Sequence, residues 1–197
     1  MDKIIKTSRG LQTVPLESDH LLKRRIFIEG EITSTMASEI FKQVIALNED
    51  SSSEHIDIYI NSRGGSIAAG LSIIDIIRFS KAPIRTICLC EAFSMAAIIF
   101  ASGTAGRLMF EHSRVMLHQP QVSSVSGSVS SIYNVYESMN ENKEQINNIL
   151  ARVCKKSVKE INKTTMEEHF FTSDQAVEFG LADGVVNFDL LLSEVNR

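Results

Sequence analysis

The chain has 197 residues, 44% of them hydrophobic, and a formal net charge of -4. That is enough for one compact domain with a sizeable core, too apolar for disorder, and without the basic footprint of a nucleic-acid binder. The longest apolar run, Met95 to Ala101, is far too short to span a bilayer, and residues 1–15 hold no apolar signal-peptide core, so no membrane partner is expected.

Residues 1–20 read as an N-terminal arm, polar and without pattern up to residue 19 and therefore flexible. Arg25 to Gly30 is a short apolar strand. Ser34 or Thr35 caps a helix with Met36, Ile40, Val44 and Leu47 on one face. Asn48 to His55 is a polar loop. Ile56, Ile58 and Ile60 alternate with Asp57 and Tyr59, which predicts a strand broken at Gly64-Gly65. Ser66 caps the next helix, whose wide stripe of Ile67, Leu71, Ile73, Ile74, Ile76 and Ile77 implies deep burial on a sheet. Ile84 to Cys90 is a strand again, so the pattern is a βαβ unit.

Cys88 and Cys90 fall on one side of that strand and read as buried small apolar residues. With Cys154 they make an odd set without framework spacing, which points to a reducing compartment, the cytoplasm. After a turn at Glu91-Ala92-Phe93, Ser94 opens an apolar helix over 95–101. Arg107 to Phe110 and Val115 to His118 are short strands, and Gln121 to Gly127 is extended and polar. Ser128 to Cys154 is the longest helix, roughly 40 Å at about 1.5 Å per residue, so it must protrude or pack against another subunit. Ser157 with Glu160, and Thr172 with Gln175, form capping boxes; Gly180 ends the second helix, and Val185-Val186 is a last strand.

Three successive strands thus end in chemistry. Gly64-Gly65 lets a substrate backbone approach closely and offers backbone donors. Ser94 presents a hydroxyl at a strand-to-helix turn, although no Gly-x-Ser-x-Gly elbow surrounds it. His118 is a base at the same sheet edge. A serine hydroxyl becomes a useful nucleophile only when such a base takes its proton. The reading is a serine hydrolase acting by acyl transfer, with no metal and no cofactor.

The motifs Tyr59-Ile60-Asn61-Ser62, Gly64-Gly65-Ser66, Ser94-Met95-Ala96 and Met116-Leu117-His118-Gln119-Pro120 resemble the proteolytic subunit of the Clp protease, as do Phe170, Ser173 and Ala176 with Glu178-Phe179-Gly180-Leu181 and Asp183. The resemblance runs from about Leu21 to Val186. It implies an α/β fold of the crotonase-like class, a spiral of βαβ units with a protruding handle of a strand plus a long helix. The head would span 21–120 and 157–190 and the handle 121–156, with residues 1–20 at an axial pore. It implies Ser94 as nucleophile, His118 as base, and the Gly65 and Met95 amides as oxyanion hole. It implies heptameric rings stacked as a tetradecamer around a chamber. It also implies an AAA+ unfoldase that uses ATP itself, docks at Tyr59, Phe79 and Ile87, and feeds in unfolded protein.

The chain departs from the family in several places. The acid of the triad is aspartate in the family, and aligning back from Gly180 puts Glu168 there. Glu167 is an alternative carboxylate; Asp174 and Asp183 sit in capping and turn patterns. Glu167 replaces an arginine that links rings, Arg63 a proline, Cys90 a glycine, and Phe93 a small residue whose replacement narrows the pocket for the substrate side chain. A second reading is therefore a weak or inactive ring subunit beside an active paralogue. A crotonase-fold acyl-CoA enzyme fits the serine–histidine pair less well, and a stand-alone peptidase of the superfamily is a further alternative.

Overall fold

The computed structural model describes residues 1–7, 10–122 and 124–187. The N-terminal arm is folded, against expectation. Strand β1 (Asp2–Thr7) pairs antiparallel with β2 (Gly10–Pro15), and helix α1 (Leu16–Leu22) follows. Asp19 on α1 accepts hydrogen bonds from Lys3 of β1 at 3.0 Å and from Lys23 at 2.7 Å, so the hairpin is tied back by charge where little apolar surface holds it.

Strand β3 (Arg25–Ile32) leads to helix α2 (Ser34–Asp50), strand β4 (Ile56–Gly65), helix α3 (Ile67–Phe79), strand β5 (Ile84–Phe93), helix α4 (Met95–Ala101) and strand β6 (Arg107–Phe110). The cap of α2 is Thr33, one residue before the expected pair, and its hydroxyl accepts from the Met36 amide. The helix takes in Asn48 to Asp50 because the Asn48 side chain is itself held, donating to Val44 O and accepting from the Lys81 and Ala82 amides. Ser66 caps α3 as expected.

Strands β3, β4 and β5 run parallel, and their isoleucines, with those of α2 and α3, make the core. Both faces of β4 are covered, so Asp57 and Tyr59 are buried too. Asp57 is matched by two hydrogen bonds from Arg85, at 2.7 and 2.9 Å, as a buried charge must be. Tyr59 stacks on Phe27 at 5.0 Å.

Beyond β6 come strand β7 (Arg114–Leu117), helix α5 (Val129–Cys154), helix α6 (Val158–Thr165), strand β8 (His169–Phe171), helix α7 (Ser173–Phe179) and strand β9 (Gly184–Val186). The sheet forks at β5: β6 pairs with its first half, Thr86 to Cys88, and β7 with its second half, Glu91 to Phe93. At the fork the register slips. Ile60 lies opposite Cys88 but Ser62 opposite Ala92, so β5 spends four residues where β4 spends two. Cys90 falls in this bulge and is exposed, which corrects its reading as a buried partner of Cys88. The strand also resumes through Glu91 to Phe93, where a turn was expected.

Both capping boxes form as read, and Gly180 closes α7 at φ 93°. The mixed α/β sheet matches the fold expected from the resemblance. The segment 121–127 is not a strand among the described residues, because no neighbouring strand pairs with it. Helix α5 is buried only toward its C-terminal end, at Ile146, Asn147, Leu150 and Cys154. Val129, Ile132, Tyr133 and Tyr136 at its other end are exposed.

Candidate functional site

Ser94 joins the end of β5 to α4 at φ 53° and ψ -125°, a backbone conformation that only glycine adopts easily. Its amide donates to Met116 O on β7 at 2.9 Å, and every residue of α4 behind it is buried. The turn is therefore clamped from both sides, and the hydroxyl stands out of the sheet edge. His118 follows the end of β7, the strand that clamps Ser94. Its Nε2 lies 2.7 Å from Ser94 Oγ, hydrogen-bond distance for taking the hydroxyl proton.

The other ring nitrogen, His118 Nδ1, is buried and has no hydrogen-bond partner. Glu168 is exposed and, among the described residues, makes no hydrogen bond or ion pair, so the expected orienting contact is not made in this conformation. Strand β8 pairs antiparallel with β7, with Val115 opposite Phe171, Met116 opposite Phe170 and Leu117 opposite His169. The ladder ends there; continued by one step past both strands, that register would set Glu168 across from His118. The strap before β8 is pinned as well: Gln119 donates to Met166 O at 3.1 Å and accepts from Lys143 of α5 at 3.2 Å. The alternative carboxylates are elsewhere engaged or placed. Asp183 is held by Arg107, Asp174 sits in the first turn of α7, and Glu167 is exposed in the strap.

Gly64 and Gly65 end β4 directly against the nucleophile. A Cβ built on Gly64 would lie 2.9 Å from both Phe93 O and Ser94 Cβ, and its φ of 101° already favours glycine. Met95 carries the first amide of α4, which a helix leaves without an acceptor of its own. The Cβ position of Gly64 also lies 3.1 Å from the Met95 amide nitrogen, so the end of β4 packs against the first turn of α4 beside Ser94.

Two residues beside the pair were not combined by sequence reasoning. The rings of Phe93 and Phe170 meet edge-on, with centroids 5.6 Å apart at 90°. They are 77 positions apart in the chain, and only the β5–β7–β8 pairing reveals the contact. Arg63, exposed, donates to Glu91 at 2.9 Å along the same rim.

Of the three residues assigned to docking, Tyr59 and Ile87 share one buried apolar cluster with Val186, flanked by Leu89, Leu108 and Phe110. Phe79 lies outside that cluster at the end of α3, 76% exposed, with the Arg78 guanidinium 5.6 Å from its ring centre. Burial pushes the Tyr59 hydroxyl up to about 12. Among the described residues no group of three or more His, Cys, Asp and Glu gathers to hold a metal, and no helix is long and apolar enough to cross a membrane. The family model described as Clp protease matches residues 9–189 of this chain.

Proposed function

Since the chain belongs to the Clp protease family, whose members are serine peptidase hydrolases, we propose that it cleaves unfolded polypeptides to short peptides through Ser94 and His118. The observation that carries this is the 2.7 Å contact between Ser94 Oγ and His118 Nε2. In the proposed reaction His118 Nε2 takes the hydroxyl proton as Ser94 Oγ attacks the scissile carbonyl. The Gly65 and Met95 amides receive the charge that develops on the carbonyl oxygen. His118 then returns the proton to the leaving amine, and water releases the acyl group by the same steps in reverse. Glu168 turns in to accept from His118 Nδ1, a role supported by the register that, continued by one step, would set it opposite and by that buried nitrogen lacking a partner. No cofactor enters this scheme.

The working assembly we propose is a pair of stacked heptameric rings, fed by an AAA+ unfoldase that uses ATP. The exposed apolar residues at the free end of α5 support burial against a second copy, as do Phe41 and Ile45 on α2. The exposed Phe79 would meet the unfoldase; Tyr59 and Ile87, assigned to the same docking site, are buried and would not touch it in this conformation. The free cysteines Cys88, Cys90 and Cys154 suit a reducing cytoplasm.

The unpartnered His118 Nδ1 also favours a second reading, a weakly active ring subunit that works beside an active paralogue. One experiment separates the two. Purified protein is assayed on a fluorogenic peptide and labelled with a fluorophosphonate, alongside Ser94→Ala. Hydrolysis and labelling that both vanish in the variant support the peptidase; a wild type that neither hydrolyses nor labels refutes it.

A further inference from the structure

We infer that Arg63 is a specificity-determining residue of the site and selects peptides that carry an acidic side chain near the scissile bond. This rests on the peptidase reading above. Arg63 immediately precedes Gly64, whose Cβ position lies 2.9 Å from Ser94 Cβ. Consecutive Cα atoms are about 3.8 Å apart, so the arginine leaves the chain one residue step from the backbone that touches the nucleophile. Strand alternation gives the direction. Val115 and Leu117 of β7 are buried in the core, so Arg114, Met116 and His118 face the other way. Ala92 of β5 is in the core too, so Glu91 and Phe93 share that other face. Arg63 Nε donates to Glu91 at 2.9 Å, which draws the guanidinium over β5 onto the face that carries the base.

The contact with Glu91 orients the arginine and leaves it able to bind. Only Nε is engaged; among the described residues the two terminal nitrogens make no hydrogen bond or ion pair, and the side chain is 81% exposed. Their N–H groups form a planar fork that matches both oxygens of a carboxylate. Glu91 is flanked by a cation from each neighbouring strand, Arg63 of β4 and the exposed Arg114 opposite it on β7. The row therefore holds two positive charges for one negative, and an incoming carboxylate is the partner it lacks. Glu31 stands on the β3 side of the turn, with its Cγ 3.0 Å from the Cβ position of Gly65, and among the described residues it makes no ion pair with Arg63. An extended substrate advances about 3.3 Å per residue, so a side chain about two residues from the scissile bond comes level with Arg63. An exposed ion pair contributes up to about fivefold, and salt weakens it because charges are screened over about 8 Å at physiological ionic strength.

The test uses internally quenched peptides that differ only in Glu, Gln or Lys at one position, which is walked from three residues before the cleaved bond to three after it. The kcat/KM ratio of the Glu to the Gln peptide is taken within each protein, so a general change of rate does not disturb it. Wild type should favour Glu about fivefold at one or two positions in about 50 mM salt and lose the preference by about 500 mM. Arg63→Gln should bring the ratio to unity. Arg63→Glu should turn the preference toward Lys, a reversal that a loss of packing would not produce. A wild-type ratio at or below one at every position overturns the proposal, as does the wild-type ratio persisting in either variant. A wild type that cuts none of the peptides overturns it too, and fluorophosphonate labelling of Ser94 then decides whether the peptidase reading falls with it.

Discussion

Glu168→Gln separates the orienting acid from the rest of the site. Opposed residues of an antiparallel pair have Cβ atoms about 4.5–5.5 Å apart, so a glutamate across from His118 has the reach to turn its carboxylate to Nδ1. Glutamine keeps that length and can still hydrogen-bond, but it removes the charge that would stabilise the imidazolium formed when His118 takes the Ser94 proton. The analogous change in Ser-His-acid triads lowers kcat by about 10⁴, equivalent to about 5.4 kcal/mol in the transition state. Folding should not notice. Glu168 is exposed and unpaired, and surface substitutions of this kind stay within about 0.5 kcal/mol. Steady-state hydrolysis of a fluorogenic peptide, with a thermal scan of the same samples, should show a collapse in kcat/KM at an unchanged Tm. A rate within about twofold of wild type would refute the assignment and leave His118 as a base held by packing alone.

Two further outcomes follow from the charges and thiols. Arg107 donates to the Asp183 carboxylate and also to Gly180 O and Val153 O, and it holds the Asp183 carboxyl below its usual range. A depressed folded-state pKa contributes stability that is present above the unfolded value, about 3.9, and is lost as pH falls through the folded one. Asp183→Asn should therefore lower Tm at pH 7 and narrow the gap to wild type as the pH is brought toward 3. Because the side chain is 47% exposed, about 1 kcal/mol or less is expected, and an equal gap at both pH values would contradict the pairing. In a native thiol titration, Cys90 alone should react promptly. Burial raises Cys88 to about 12 and Cys154 to about 11, so rapid modification of all three thiols would contradict their burial, and an unreactive Cys90 would contradict its exposure in the bulge of β5.

What could be read from the chain was what is decided locally. Ser66, the two capping boxes and Gly180 announce themselves because cap and capped amide lie within a few residues. The isoleucine stripe of α3 is equally local, and Ser94 and His118 were legible because each ends its own strand. What failed to show was pairing. Cys90 has the parity of a buried residue, and only the slip against β4 exposes it. Strand β8 is three residues long, His169 to Phe171, and exists through β7. The N-terminal hairpin carries little apolar alternation and is held partly by Asp19, which no periodicity reveals. The same holds for Phe93 and Phe170, whose contact is created by two register choices far apart in the chain.

The backbone at Ser94 has an evolutionary consequence. A non-glycine residue held at φ 53° and ψ -125° stores on the order of 1–3 kcal/mol, which the surrounding fold must hold in check. Replacing the serine by glycine would release that strain, so the step that ends catalysis also steadies the molecule. For a subunit that shares a ring with a working relative, selection on assembly alone would let this position drift toward glycine.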